Sequence, residues 1–506
     1  MHARQRPDRS IGRIGLSILA VTTLILLLLF GVELLVDLAR SDVDLGDLQM
    51  TPRQVQTLAS TVSRAFNNLM AMVLAFIALA IPITANMYTP KLIEIFVRDR
   101  INIAAMVLFS VFGAHAIFAQ AMAYDQWTPV VQFTICWTSG VLGFVVLVPY
   151  YFHVLSFLDP DQIIDRVTAR ITAEYKPIRL GTRPVGIAQR RLHARILHLG
   201  NVILRALDRS DRDVALSSIR ALREAVQRYI DEKRDMPPAW FDVDAALFVG
   251  TSDEALTMVR RERVWVEHRC LKQILLAHDA ALGHVHDLIS PINDVNLAIA
   301  IHARQRGDGH TLDLCIRIFN TFLRSAIKKN DVRAVQDVLH PYKSLARDLL
   351  AHDPARALAV GRHFKYYAEL ARHEKVSFVY EIVASDLGSV IEWAWDGKTI
   401  TREGLLDLFL SLDAQETTVR MTTARAILAG YMADHGHDRE AALVADRIYA
   451  TPITQVRRAR KVLLGTSDPT FWEVTDLQRN LDYVEPARRS TIARILDDVL
   501  TKKERE

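Results

Sequence analysis

The sequence predicts an all-α protein in two parts, a four-helix transmembrane domain followed by a cytoplasmic α-helical domain. Four apolar runs lie between Gly15 and Phe157, and the rest of the 506 residues has the composition of charged, soluble, helical protein. Half of the chain is hydrophobic, which exceeds what one soluble domain usually needs. We therefore predict a transmembrane domain at 1–158, a juxtamembrane helical linker at 159–240 and a cytoplasmic helical domain at 241–506, with a solenoid or tetratricopeptide-like stack as its candidate architecture.

The first apolar run, Gly15–Val36, is about 22 residues long, enough to cross a hydrocarbon core of about 30 Å as a helix. A signal peptide has a shorter apolar region that ends in a small-residue cleavage site. This run ends instead in Glu33-Leu-Leu-Val-Asp37, so we expect an uncleaved anchor. Glu33 lies about one turn from the end of the run, where its carboxylate is expected to reach headgroups or water.

Basic residues set the predicted orientation of the four spans. Arginines precede the first span and a longer basic series follows the last, whereas four aspartates fall between spans one and two. Because positive charge marks cytoplasmic loops, we expect both termini to be cytoplasmic. The remaining predicted spans are Phe66–Met87, Ile101–Ala123 and Pro129–Phe152.

Small residues recur on one helical face in three spans. The faces are Ala71, Ala75, Ala78, Pro82 and Ala85 in span two; Gly113, Ala116, Gln120 and Ala123 in span three; and Gln132, Cys136, Gly140 and Gly143 in span four. Such faces favour tight helix packing, and that interpretation stays open. The alternative is a water-filled path in an oligomer, because polar side chains on these spans would be costly against lipid.

His115 falls near the middle of span three. An ionisable group at that depth is a functional hypothesis, through proton sensing or coordination of a permeant species. The alternative is a neutral imidazole that is hydrogen-bonded to a neighbouring helix. The candidate pore or gate residues are Ala78, Pro82, Thr84, Asn86, His115, Gln120 and Gln132.

The turn after span two predicts a short amphipathic helix at the inner membrane interface. Thr89 can cap it, Pro90 can take its first position, and Leu92, Ile95 and Phe96 form its apolar face. We predict that this segment is an interfacial hinge, and its basic residues make anionic lipids expected partners. The hinge residues are Thr89, Pro90, Lys91, Phe96, Arg98, Asp99 and Arg100.

This turn resembles the signature of a bacterial family of predicted membrane proteins of unknown function. The shared order is Ser/Thr-Pro, a basic residue, two aliphatic residues, Phe and Arg-Asp-Arg-Ile/Val-Asn, which this chain matches between Tyr88 and Asn102. The stretch Leu288–Asp294 is similar to a second family motif, Leu-Ser-Pro-Gly-Ile-Asn-Asp, without its glycine. The resemblance implies a four-helix region in the bacterial inner membrane and no established activity. Family members commonly carry a β segment after the last span, where this chain has helical sequence.

The sequence of the cytoplasmic part predicts successive helices. Val185–Leu207 and Asp211–Glu232 predict an amphipathic pair, after which the prolines of Met236–Phe241 break the pattern. We expect Glu254–Asp287 to be one long helix, ended by Ser290-Pro291. Asn293 or Asp294 is then expected to cap the helix Val295–Gln305.

Four further helices follow at a spacing of roughly 22 residues, which is typical of an α-solenoid or tetratricopeptide-like stack. They are His310–Lys329, Asp331–Ala351, Pro354–His373 and Val376–Trp395. Stacks of this kind commonly present a surface to a protein partner or to copies of themselves.

Catalytic and metal-binding patterns fail on inspection. Gly397-Lys398-Thr399 lacks the first glycine of a phosphate loop, because Glu392 stands five positions before Gly397. Neither GxSxG nor GxGxxG occurs. His278, His284 and His286 do not share a helical face, so a polar cluster is favoured over a metal site. We therefore expect no enzyme, no cofactor and no metal.

The leading functional hypothesis is an oligomeric inner-membrane channel or pore-like transport protein, with the cytoplasmic domain holding the oligomer. The alternative is a membrane-tethered scaffold or signalling adaptor whose helical stack binds a cytoplasmic protein partner. Expected partners are the lipid bilayer and copies of the chain itself, and we expect no nucleic acid. The sequence does not identify the permeant species.

Overall fold

The structure is a computed structural model that describes residues 9–40, 51–87, 96–122, 130–376, 378–412, 418–470 and 480–505. Every regular element in these ranges is a helix, which confirms the all-α prediction. The chain divides into two compact units, unit 1 at Met1–Val167 and unit 2 at Thr168–Glu506. Each unit is described by itself.

Unit 1 is built from long apolar helices. They are α1 (Arg9–Arg40), α2 (Pro52–Met87), α3 (Arg100–Met122) and α4 (Val130–Leu158), followed by α5 (Pro160–Arg179), which crosses the division between the units. Within the part of the chain that the structure describes, three segments are long and apolar enough to cross a membrane: Gln56–Leu79, Arg100–Met122 and Val131–Ser156. The first predicted span lies in α1, whose described apolar part, Ala20–Glu33, is shorter than these three.

Helices α3 and α4 form the centre of unit 1, since each contacts the other and both α1 and α2. Glycines allow α2 to approach this central pair closely. A Cβ on Gly140 would lie 2.9 Å from Val62 Cγ1, and one on Gly143 would lie 2.5 Å from Phe66 Cε2. The small residues of α4 therefore serve tight packing against α2.

Unit 2 continues with helices throughout the described residues. They are α6 (Val185–Asp208), α7 (Arg212–Glu232), α8 (Asp253–Arg261), α9 (Trp265–Ala281), α10 (Ile289–Gln305), α11 (Gly309–Lys328), α12 (Val332–His352), α13 (Pro354–His373), α14 (Phe378–Asp396), α15 (Arg402–Leu410), α16 (Val419–Asp434), α17 (Asp438–Tyr449), α18 (Ile453–Gly465) and α19 (Pro486–Arg505). The pair α6 and α7 and the helices α11 to α14 lie within two residues of their predicted bounds.

Most helices of unit 2 alternate between two rows. One row runs through α7, α10, α12, α14 and α16, and the other through α6, α9, α11, α13 and α15. Each helix contacts the next member of its own row, and the members from α6 to α15 also contact a sequence neighbour in the other row. This is the arrangement of an α-solenoid, in which stacked neighbours bury a continuous core.

The proline-containing segment after α7 is packed into unit 2. Trp240 is fully buried, donates its indole N–H to the Tyr229 hydroxyl at 2.9 Å and lies edge-on to Trp265. Gln189 of α6 donates to the carbonyls of Trp240 and Asp242. The segment that breaks the helical pattern is therefore a connection between α7 and α8 that aromatic packing holds in place.

The prediction of one helix across Glu254–Asp287 is wrong. Helix α8 ends at Arg261 because Arg263 adopts a left-handed conformation with φ of 56°, and Gly283, with φ of 95°, follows the end of α9. Ser290 and Pro291 begin α10 instead of ending a helix, since proline is tolerated where the first-turn N–H groups lack partners. Asn293 is not a cap: it is buried and donates to the Asp337 carbonyl at 3.1 Å.

We predict that Gly143→Ala lowers the free energy of unfolding of the detergent-purified protein by about 1–3 kcal/mol, because the added methyl group overlaps the buried Phe66 ring. Thermal unfolding followed by circular dichroism measures the change. Gly31→Ala is the matched control, since a Cβ there meets no atom within 4 Å. Equal unfolding temperatures for both variants and the parent protein would contradict close α2–α4 packing.

Candidate functional site

A carboxylate and an imidazole meet inside unit 1. His115 Nε2 of α3 lies 2.7 Å from Glu33 Oε2 of α1, and the two residues are only 1% and 2% exposed. The sequence placed Glu33 within reach of water, and this expectation is wrong. The carboxylate turns into the bundle because a buried histidine on the adjacent helix offers it a hydrogen bond.

Aromatic rings cover the Glu33–His115 pair. Phe30 precedes Glu33 by about one helical turn and stacks on Phe118 with ring centroids 3.9 Å apart. Its ring also lies 5.6 Å from the His115 ring in a stacked orientation. The pair therefore sits in surroundings of low dielectric, which strengthen the electrostatic contact between the two groups.

Each member of the pair keeps one polar atom without a hydrogen bond. Within the described residues, Glu33 Oε1 and His115 Nδ1 are buried and have no hydrogen-bond partner. A buried unpartnered polar atom is costly, so it requires a reason beyond packing. Both atoms can take part in proton exchange, since a carboxylate oxygen accepts a proton and an imidazole nitrogen accepts or donates one.

Small side chains surround this region of the bundle. Ala116 and Ala119 of α3 pack with Cys136 of α4 and with Val62 of α2. Gln132, near the start of α4, is fully buried, and Gln120 of α3 is half-buried. Polar residues of α3 and α4 therefore lie in the interior of unit 1.

A second carboxylate–histidine contact lies at the start of α3. Asp99 Oδ1 accepts from the backbone N–H groups of Ile101 at 3.0 Å and Asn102 at 3.3 Å, which makes Asp99 the N-cap of α3. The same oxygen lies 3.2 Å from His153 Nε2 of α4. Asp99 thus fixes the start of α3 and ties it to α4.

Asn102 completes this turn. It is fully buried, and its Nδ2 donates to the Phe96 carbonyl at 3.0 Å. The aspartate and the asparagine of the Arg-Asp-Arg-Ile-Asn sequence therefore stabilise the start of α3. At 1.5 Å per residue, Asp99 and His115 are about 24 Å apart along α3, so the two carboxylate–histidine contacts hold α3 at two separate levels.

The predicted pore residues do not converge on one place. Ala78 lies on an exposed face of α2, together with Ala71 and Ala75, whereas His115 and Gln132 are buried in the bundle. The backbone of Pro82, Thr84 and Asn86 is part of α2, but the structure does not describe their side chains.

Of the predicted hinge, Thr89, Pro90 and Lys91 lie outside the described residues. Phe96 is buried, Asp99 is half-buried, and Arg98 and Arg100 are exposed. The described part of the hinge is therefore the start of α3.

Sequence reasoning missed two site residues, Glu33 and His153. For Glu33 a signal existed, because an acidic residue in one apolar run and a histidine in another are expected to pair inside a membrane. For His153 the signal was weaker, since its partner lies 54 residues away and both fall at span ends.

The three histidines singled out in the cytoplasmic sequence are separated in the structure. His278 is buried and stacks on Phe322, His284 is exposed, and His286 lies 3.1 Å from Asp331. Within the described residues, no group of three His, Cys, Asp or Glu side chains is placed to hold a metal ion. His278 and His286 make contacts between helices instead.

The apolar helices of unit 1 identify the class of the chain as a membrane protein. Residues 14–231 match the model of a family described as a predicted membrane protein, DUF2254, so the resemblance is confirmed over this part of the chain. The match continues past α4 to the end of α7, so it includes the helical sequence that stands where family members commonly carry a β segment. The second motif, Leu288–Asp294, lies beyond the matched residues. No curated protein and no solved structure matches the chain.

We predict that Asp99→Ala speeds amide hydrogen exchange at Ile101 and Asn102 and lowers the free energy of unfolding by about 1–2 kcal/mol, because the cap of α3 is lost. Asp99→Asn is expected to retain most of the protection, since asparagine is an equally good N-cap. Mass-spectrometric exchange on the detergent-purified protein measures both variants. Unchanged exchange in Asp99→Ala would contradict the capping role.

Proposed function

We propose that this protein is an oligomeric, channel-type transport protein of the inner membrane, and that the Glu33–His115 pair controls its conduction. The observation that carries the proposal is this pair, buried between two helices of the membrane unit with one unpartnered polar atom on each side chain. Ionisable groups in such positions mark ion paths and proton relays.

The energetics of the pair favour a functional role over a structural one. An ionised side chain near the centre of a membrane costs about 3 kcal/mol or more. A buried ion pair recovers part of this cost, but well-packed apolar residues often stabilise a protein equally well or better. Apolar side chains would pack the helices of a simple anchor at least as well, so an ionisable pair favours a functional role.

Helix α3 connects the pair to the second contact. Its start is bound to α4 through Asp99 and His153, and its far half is bound to α1 through His115 and Glu33. Loss of either contact alters how α3 is held. On this proposal, the packed bundle is the closed arrangement, and loosening α3 opens the path.

An oligomer is part of the proposal because four closely packed helices enclose no path of their own. The exposed alanine face of α2, formed by Ala71, Ala75 and Ala78, is suited to close contact with a second copy. The helical stack of unit 2 offers additional surface for holding copies together. The positive-inside rule places both termini in the cytoplasm, and no catalytic role is proposed.

We predict that planar bilayers containing the purified full-length protein conduct K⁺. Glu33→Gln and His115→Gln are each expected to change this conductance at least about tenfold, because the carboxylate–imidazole contact that binds α1 to α3 is lost. Thr138→Ala, an exposed position on α4, is the matched control and should behave as the parent protein.

Two results would overturn the proposal. One is the absence of K⁺ conductance, which would favour the membrane-tethered adaptor as the alternative function. The other is conductance that is unaffected in both Glu33→Gln and His115→Gln, which would remove the pair from the path.

A further inference from the structure

Unit 2 contains a cavity with a cationic wall. Its volume is about 210 Å³, and it lies beside the end of α7 and the turns that precede α9 and α11. Four permanent cations and a histidine line it: Lys233, Arg234, Arg263, Arg306 and His310. Phe241 provides an aromatic surface on the same wall.

Lys233, which lines the cavity, is held in place by neighbouring acceptors. Its ammonium group lies 2.7 Å from Glu267 Oε1 and 2.7 Å from Asp308 Oδ2, and it donates to the Thr311 hydroxyl at 3.3 Å. Burial alone would lower the pKa of Lys233, but Glu267 and Asp308 outweigh burial and raise it. All three ammonium protons have acceptors, so Lys233 has a structural role and no donor left for a ligand.

The acidic groups of the wall already have partners. Asp308 accepts from Lys233 and from the backbone and hydroxyl of Thr311, while Glu262 lies near Arg261 and Arg317. The carboxylates are therefore neutralised by cations that the wall or its surroundings supply.

Two guanidinium groups remain available. Arg306 is paired with Asp231 at 2.7 Å, but among the described residues no carboxylate pairs with Arg234 or Arg263. Arg234 donates to the Arg306 carbonyl and so is held over the turn at Gly307. Arg263 lies over the Phe241 ring, 5.3 Å from its centroid. The two free guanidinium groups are thus positioned by local contacts.

We propose that this cavity binds a small organic phosphate. Arg234 and Arg263 would pair with the phosphate oxygens, which match the planar fork of a guanidinium group, and Phe241 would contact the organic part. Two unpaired cations balance the two negative charges of a phosphomonoester.

The size of the cavity limits the ligand further. Pockets for drug-sized ligands have volumes of about 300–1,000 Å³, so this cavity accepts a phosphate with a group no larger than about one ring. The inference does not rest on the proposed transport function, because the cavity lies in unit 2 and its test measures binding instead of conduction.

Isothermal titration of the detergent-purified full-length protein with phenyl phosphate tests the proposal. We expect saturable binding to the parent protein and at least about tenfold weaker binding to Arg263→Gln, the loss expected when one charge-assisted contact is removed. Arg263→Lys should keep part of the affinity, because it retains the charge. Arg234→Gln gives an independent test at the second guanidinium group. Arg439→Gln, an exposed position on α17, is the matched control for charge.

The proposal is overturned if phenyl phosphate does not bind the parent protein, or if Arg263→Gln and Arg234→Gln bind it as tightly as Arg439→Gln does. Equal affinity for benzyl alcohol would also overturn it, since the cations would then contribute nothing. Binding to phosphatidylglycerol vesicles without binding to soluble phenyl phosphate would contradict a soluble ligand.

Discussion

The contact between Glu33 and His115 constrains the whole of unit 1, because neither group is stable in an apolar bundle without the other. The carboxylate must lose its water when α1 joins the bundle, and the imidazole 2.7 Å away replaces part of that hydration. The stacked rings of Phe30 and Phe118 close the site around them. The position of α1 relative to α3 therefore follows from one polar contact in an otherwise apolar interface.

The same physical rule operates in unit 2 with a different outcome. Lys233 is half-buried, and Glu267, Asp308 and Thr311 accept all its ammonium protons, so the lysine serves as structure. At Glu33 and His115 each side chain keeps an unpartnered atom. The membrane pair differs from this cluster in its place, because it lies between two apolar helices of unit 1, where ionisable groups mark function. The phosphate proposal uses the two arginines without a carboxylate partner because Lys233 has no ammonium proton left to donate.

Local signals in the sequence predicted most of the helices well. Asp211, Asp331 and Asp353 each accept a backbone N–H at the start of a helix, and Pro354 takes the first position of α13, so caps and prolines marked these boundaries correctly. The break at Arg263 was missed because a left-handed arginine has no local signature. Ser290-Pro291 was taken for a helix end, although a first-turn proline fits the same residues.

The membrane site was harder to predict, because its partners are distant in sequence. Glu33 and His115 are separated by 82 residues, and helix periodicity alone does not show that α1 and α3 place them at the same depth. His115 was recognised by its position in an apolar run, whereas Glu33 was taken for an interfacial residue. Pairing between spans is a tertiary property, and the hydropathy of each span does not encode it.

A double-mutant cycle on the stability of the bundle tests the central claim most directly. Glu33→Leu and His115→Leu, alone and together, would be compared by unfolding the full-length protein in one detergent. Each single variant leaves a buried polar group unpaired, so we predict that the double variant is more stable than the sum of the single effects by about 1–3 kcal/mol. Single effects that add within about 0.5 kcal/mol would show that the two side chains do not interact, and would contradict the account.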